Sequence, residues 1–343
     1  MKRLPLQVKA FAPARLSLAG GGTDLAAFYH RQAGRVLSFA INLGVTVTAT
    51  RLPGSDLRVV HLPDLGQDLW FAPGKHPTEG PAYLAALALD EWAGKHGCEA
   101  SIVADFPPGS GLGGSGAMCV ALFAALLELR GRRWTQRMAA HEASRLEIEL
   151  AGRPIGVQDQ YASALGGINL LTFGTNGNVR QKRIQLTKKL QTQFQQCFSL
   201  FTSGMQRDSG TVLTRQKRAT EEGSGRTLET LGHMAEMALG MSRALNAGDL
   251  AEVGRLLDEA WQEKKRLDKK ITSKLVDEAL DAAKHAGAWG GKVCGAGAGG
   301  HLLVMGPPAM KDAIQHAVSA HGYRARKFSL DGLGVRVVTG RDA

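Results

Sequence analysis

Between Glu99 and Arg130 the chain reads EASIVADFPPGSGLGGSGAMCVALFAALLELR, a strand-like run, two prolines, a loop of five glycines and two serines, then apolar residues on nearly every helical face. A helix without a polar stripe belongs inside a domain, so Ser115 to Arg130 is predicted to be buried, with the glycine loop feeding its N-terminus. Such a junction points several free first-turn N–H groups in one direction, and with the helix dipole they favour an anion. Missing side chains let phosphate oxygens approach the backbone. Ser110 and Ser115 add hydroxyls that can donate to oxygen or coordinate magnesium. A tight turn would use the same glycines. The stretch lacks the lysine of G-x-x-x-x-G-K-[ST] and is not a G-x-G-x-x-G after a first strand, so it supports neither a P-loop nor a dinucleotide fold.

The 343 residues exceed what one core usually serves, so two domains are expected. Elsewhere the chain mixes strands and helices. "QVKAFAPARLSLAGG" and "RVLSFAINLGVTVTATRL" read as strands, "LRVVHL" and "QDLWFA" as shorter ones, and Gly80 to His96 as a helix. "TQRMAAHEASRLEIELAG" is helical and "GGINLLTFG" returns to strand. The turn formers and charges of "TNGNVRQKR" then suggest a boundary, giving an N-terminal domain over 1–175 and a C-terminal one over 176–343. In the second half "CFSLFTSG" reads as strand, and helical segments run from Gly210 to Leu245 and from Asp249 to Ala286, with breaks near Gly223 and Ile271. "KVCGAGAGGHLLVMG", a helix over Pro308 to His321 and "GVRVVTG" end the chain.

Three glycine-bearing stretches resemble the GHMP kinases, the superfamily of galactokinase and of homoserine, mevalonate and phosphomevalonate kinases. Pro107 to Ala117, "PPGSGLGGSGA", is similar to that family's phosphate-binding P-x-x-x-G-L-G-S-S-A-A. Gly114 replaces the first serine and Gly116 the first alanine, while Ser115 stays in register. "APARLSLAGGGTD", Ala12 to Asp24, looks like the first, sugar-binding motif, and "KVCGAGAGGHLLVM", Lys292 to Met305, like the third. "LAGGGTD" with "GVQDQYASALGG", Gly156 to Gly167, is most similar to the D-glycero-D-manno-heptose 7-phosphate kinases, with fucokinase-like kinases as near relatives.

The resemblance implies an α+β fold of two domains, the first like domain 2 of ribosomal protein S5 and the second a ferredoxin-like α/β sandwich. It implies an ATP-dependent sugar kinase that uses magnesium and phosphorylates the anomeric hydroxyl of a heptose 7-phosphate, for activated heptose and surface polysaccharide. A fucose-type 1-kinase is the alternative. ATP would lie on Pro108, Gly109, Ser110, Gly111, Leu112, Gly113, Gly114 and Ser115. Asp159, by resemblance, sits beside the acceptor hydroxyl, where a carboxylate can take its proton. Arg15 stands where several members carry lysine; its planar fork suits a phosphate or Asp159. Ser115 and a glutamate would hold magnesium, with Glu147 favoured over Glu142 and Glu149. Gly21, Gly22, Thr23, Asp24, Asp159 and Gly297 would contact the sugar. Arg207 is the choice for the substrate's own phosphate, with Lys182, Arg183 and Arg215 as competitors, and Trp70 or Phe71 could stack on a base if they are not core.

The formal charge of +11 suits an anionic partner. Its densest basic run, "EKKRLDKKITSK" from Glu263 to Lys274, reads as a solvated helix face among acids. No nucleic-acid-binding motif accompanies it, so a nucleotide- or RNA-binding protein is the weaker reading. Four scattered cysteines, histidines without ligand spacing and the lack of a signal-like or spanning apolar run predict a soluble cytoplasmic protein with reduced thiols and no membrane partner. Oligomeric state is left open.

Overall fold

The structure is a computed structural model and describes residues 5–203, 210–297 and 300–338. Strand β1 (Gln7–Ala19) pairs antiparallel with the long β2 (Gly34–Leu52), with bulges after Pro13 and Ser17. β2 is the hub of the first sheet. Its second half also pairs with β5 (Gly97–Ala104) and its first half with β6 (Ile168–Phe173). β3 (Arg58–Leu62) lies parallel to β5 and carries β4 (Gln67–Phe71) on its other edge. A short helix α1 (Ala26–Tyr29) follows the glycine turn after β1, and α2 (Tyr83–Trp92) precedes β5.

Helix α3 (Gly114–Leu129) is buried on nearly all sides, as its composition requires. It packs on β1 and β2 and is flanked by α2, α4 (Gln136–Arg145) and α5 (Gln158–Leu165). Between α4 and α5 the chain makes a π-helical turn over Leu146–Leu150, where the sequence reads as uninterrupted α-helix.

The second sheet is antiparallel, in the order β11-β8-β10-β9, formed by β8 (Phe198–Thr202), β9 (Gly290–Val293), β10 (His301–Met305) and β11 (Arg324–Arg326). Its period-2 pattern feeds two cores. Phe198, Leu200, Leu303 and Met305 face the core shared with the first sheet, while Phe201, Leu302 and Val304 face Trp261, Val276 and Ile314. Helices α8 (Gly225–Ala247), α9 (Leu250–Lys265), α10 (Lys274–His285) and α11 (Lys311–Ser319) complete this half, after α6 (Lys188–Cys197) and α7 (Gly210–Glu221). Phe39 of β2 lies 5.3 Å from both Phe194 and Phe198, ring centre to ring centre, so the halves share aromatic packing.

The boundary expected after residue 175 falls within the first sheet. It cuts the turn between β6 and β7 (Val179–Ile184), which pair residue for residue, so the first sheet continues past the polar stretch that suggested a linker. The chain also returns to that sheet, where β12 (Arg336–Val338) pairs with β1. Charged residues on an edge strand mimic a linker in sequence because both are solvated. All four cysteines are buried free thiols. Among the described residues, no helix is long and apolar enough to cross a membrane.

Candidate active site

A cavity of about 890 Å³ opens between the two halves of the chain. One wall is the glycine loop, with Pro108, Gly109, Ser110, Gly111, Gly113, Gly114 and Ser115 all lining it. Gly109, Gly111 and Gly113 adopt positive φ of 72°, 82° and 79°, left-handed backbone of the kind from which anion-binding nests are built. Leu112 alone of the expected loop residues faces away: its side chain is fully buried in the core and its carbonyl accepts from the Arg15 backbone.

The two departures from the family pattern have local causes. A Cβ at Gly114 would stand 2.9 Å from the Phe106 ring, which occupies the space of a serine side chain. A Cβ at Gly116 would stand 3.0 Å from that of Asp159, so glycine lets α5 approach α3 closely.

Asp159, in the first turn of α5, borders the loop. Arg15 Nε and Nη2 both donate to its Oδ1, at 2.8 and 2.7 Å, and Arg15 Nη1 donates to the Gly111 carbonyl at 2.6 Å. Arg15 therefore ties the carboxylate to the loop through the planar fork of its guanidinium. Glu147 is fully buried beside Ser115, which helps hold its proton affinity down, and takes a hydrogen bond from Gln160. Burial nonetheless raises its pKa above the usual 4.5. Its Oε1 has no hydrogen-bond partner among the described residues, and Arg153 Nη1 is 3.7 Å away. Of the competing glutamates, Glu142 pairs with Arg145 at 3.0 Å and Glu149 is exposed.

The cavity is also lined by Gly21, Gly22, Asp24, Ser17 and Gln158. Asp24 is 2 % exposed; Oδ1 accepts from the Gly22 N–H at 2.8 Å and Gln158 Nε2 at 3.0 Å, and Oδ2 from the Gln158 N–H at 3.2 Å. Burial, then the Asp159 charge, raise its pKa. Ser17 Oγ and Gln158 Oε1 are buried without a partner among the described residues, so they are free to meet hydroxyls. Sequence reading missed both; neither belongs to a glycine turn.

Several expected contacts lie elsewhere. Thr23 is fully buried and staples its turn, donating to Gly20 and Arg35 carbonyls and accepting from the Arg35 N–H at 3.0 Å. Gly297 packs on Ile271 rather than on the cavity, which its neighbours Gly295 and Ala296 reach. Lys182 is exposed on β7, Arg183 donates to the Gly332 carbonyl, and Arg215 pairs with Asp268 at 2.8 Å; none lines the cavity. Arg207 lies outside the described residues. Trp70 is 57 % exposed, Phe71 is core, and neither reaches the cavity, whose apolar lining includes Val45, Leu62, Leu65, Leu84, Ile102 and Phe106.

Two buried lysines complete the site. Lys264 and Lys292 are 5 % and 4 % exposed and line the cavity. Lys264 Nζ donates to the Gly295 carbonyl; Lys292 Nζ donates to those of Ser17 at 2.9 Å and Leu18 at 3.2 Å. Burial lowers their pKa to about 8 and about 7, respectively, helped at Lys264 by Arg15 and at Lys292 by Lys264. This corrects the reading of residues 263–274 as a solvated face. The signal was present in the periodicity, because Lys264 continues the buried stripe Val253, Leu257, Ala260, Trp261.

The third glycine stretch buttresses the first. A Cβ at Gly295 would stand 2.6 Å from the Gly111 Cα, one at Gly111 2.5 Å from the Cys294 carbonyl oxygen, and the buried His301 ring meets the Ser110 carbonyl at 3.0 Å. An anion cradle, an anchored carboxylate, a buried acid beside a loop hydroxyl and a polar pocket thus open into one space, which suits transfer of a phosphoryl group to a hydroxyl.

The family descriptions "GHMP kinases N terminal domain" and "GHMP kinases C terminal" match residues 81–167 and 241–324. The chain is 26 % identical to the D-glycero-alpha-D-manno-heptose 7-phosphate kinase of Campylobacter jejuni over 96 % of its own length and 98 % of that protein. It is also 26 % identical to the L-fucokinase/L-fucose-1-P guanylyltransferase of Bacteroides fragilis, of which it covers 34 %. Among solved structures it resembles a D-glycero-D-manno-heptose 1-phosphate kinase from Bacteroides thetaiotaomicron, with a TM-score of 0.77 at 23 % identity over 97 % of this chain and 99 % of that one. The galactokinase of Lactococcus lactis, solved with galactose, gives a TM-score of 0.75 at 18 % identity over 97 % and 95 %. With both domains matched and the whole length sharing their fold, the chain belongs to the GHMP kinases, a family of ATP-dependent kinases.

Proposed function

We propose that this ATP-dependent sugar kinase transfers the γ-phosphoryl group to the anomeric hydroxyl of D-glycero-D-manno-heptose 7-phosphate, yielding the 1,7-bisphosphate. The observation that carries the reading is Asp159, anchored by Arg15 against the glycine loop and sharing one cavity with Asp24. The loop N–H groups and the α3 N-terminus bind the nucleotide's phosphates. Ser17, Asp24 and Gln158 bind sugar hydroxyls, and Asp159 Oδ2, which accepts no hydrogen bond among the described residues, takes the attacking hydroxyl's proton. The apolar patch around Leu62, Leu84 and Ile102 receives the adenine.

Ser115 and Glu147 fit magnesium. A buried carboxylate oxygen without a partner, beside a hydroxyl, is a donor set for a hard cation that keeps most of its waters. Bound there, the metal would neutralise phosphate charge. The product suits a step feeding nucleotide-activated heptose for surface polysaccharide. The heptose assignment rests on the Campylobacter relative.

A second reading, a fucose-type 1-kinase acting on an unphosphorylated sugar, is favoured by the position of Lys182, Arg183 and Arg215 outside the cavity. ADP release measured with heptose 7-phosphate, fucose and galactose separates the two. Turnover at least about 100-fold more efficient on heptose 7-phosphate, a gap of about 2.7 kcal/mol in transition-state binding, is expected; turnover confined to unphosphorylated sugars refutes the favoured acceptor.

A further inference from the structure

Lys264 reaches the site from α9, in the half of the chain that contributes neither Asp159 nor the phosphate loop. An ammonium carries three donors. That of Lys292 spends two on the Ser17 and Leu18 carbonyls, tying β9 to β1. That of Lys264 has one protein acceptor among the described residues, the Gly295 carbonyl, and Gly295 itself rests on Gly111 of the phosphate loop. Within electrostatic reach stand Arg15 of β1, Asp24 of the following turn, Asp159 of α5, and Lys292 and Cys294 of the β9 end. A buried cation with donors to spare, placed between the loop and the acceptor pocket, has an unfavourable environment until an anion arrives.

We propose that Lys264 is a further catalytic residue, whose ammonium donates hydrogen bonds to the phosphoryl group passing between nucleotide and acceptor. This rests on the kinase reading of the cavity. As the acceptor oxygen bonds to the γ-phosphorus, the bond to the bridging oxygen breaks and its electron pair leaves with ADP. The acceptor's proton passes to Asp159, and Lys264 keeps its own. Arg15 is already committed to Asp159 and Gly111, whereas Lys264 keeps donors to spare among the described residues and can follow the moving charge. Its lowered pKa, about 8, ties that role to pH: above it the amine loses the charge the transfer needs.

The test compares wild type, Lys264→Arg and Lys264→Met. Calorimetric titration with ADP and with the non-hydrolysable analogue AMP-PNP, magnesium present, isolates the γ-phosphoryl contact without any acceptor. Lys264→Met is expected to lose about 10- to 100-fold in AMP-PNP affinity while ADP affinity stays within about 3-fold, in line with charge-assisted hydrogen bonds. With an acceptor that turns over, the wild-type kcat/KM should fall above about pH 8, and Lys264→Arg should move that limb upward. Equal losses of ADP and AMP-PNP affinity, or an unshifted pH profile in the arginine variant, would reduce Lys264 to a prop for the Gly295 turn and overturn the proposal. Failure of the wild type to bind either nucleotide defeats the kinase reading itself, whereas wild-type preference for AMP-PNP that survives in Lys264→Met defeats only the role of Lys264.

Discussion

Arg15 and Asp159 meet through a single carboxylate oxygen: Nε and Nη2 of the arginine converge on Oδ1 at 2.8 and 2.7 Å. The asymmetry has chemical content. One oxygen is held by a permanent cation, so the other is left to receive a proton in a fixed orientation, and the same guanidinium fixes the loop through the Gly111 carbonyl.

Asp159→Asn keeps the size and most of the packing of the side chain and removes its basicity. Turnover is expected to fall by about 10² to 10⁴, with nucleotide affinity nearly unchanged because the loop amides are untouched. Steady-state rates paired with calorimetry on the folded variant check this. A near-wild-type rate would end the assignment of Asp159 as base.

Glu147 connects function to stability. Burial raises its folded pKa above the unfolded value, so the stability it contributes is present below pH 4.5 and is lost as pH rises through the folded value. Above that range the buried carboxyl therefore weakens the metal-free protein relative to acid pH. Glu147→Gln should raise the melting temperature of metal-free protein at pH 7, by about 1 to 2 °C per kcal/mol for a chain of this length, with the gain vanishing toward pH 4.5. The same change should raise the magnesium concentration for half-maximal rate by about 10-fold or more, since an amide oxygen is a neutral ligand. Thermal melts across pH, with and without magnesium, together with metal titrations of the rate, measure both.

Gly111 combines a positive φ of 82° with backbone contact, a Cβ there falling 2.5 Å from the Cys294 carbonyl oxygen. Gly111→Ala must move rigid main chain on one side or the other, and the left-handed conformation alone costs about 1 to 2 kcal/mol. The expected outcome is a KM for ATP raised about 10-fold or more, with acceptor KM much less affected. Kinetics with each substrate varied in turn tell this from a general loss of folded protein, which would lower kcat alone.

Much of this site was legible in the sequence because glycine runs carry their own backbone requirement. The loop from Pro108 to Ser115 and the turn ending in Asp24 announce themselves locally. Ser17, Gln158, Lys264 and Lys292 do not, since each reaches the cavity only through strand register or helix packing that joins distant segments. Lys264 shows the limit most plainly: by composition it belongs to a basic surface run, by helical phase to the buried stripe, and the phase was the better guide. Glu147 was singled out by resemblance, and it is buried while Glu149, two residues later and so on the opposite face of the helical turn, is exposed. The hairpin of β6 and β7 was misread because solvated strand and linker share a composition.

Gly114 and Phe106 provide a test of why the phosphate loop departs from its family pattern. The Phe106 ring, 5 % exposed, stands where a serine at 114 would place its Cβ, at 2.9 Å. Gly114→Ser alone must push the ring out of the core and is expected to destabilise by about 1 to 3 kcal/mol, the usual range for overpacking. Phe106→Ala alone opens a cavity and should cost about 3 to 5 kcal/mol. In the double variant the serine enters the vacated space, so the combined loss should be smaller than the sum by about 1 kcal/mol or more. Urea unfolding of the four proteins closes the cycle. Strict additivity would mean that the ring and the missing hydroxyl are independent, and that the glycine at 114 has some other cause.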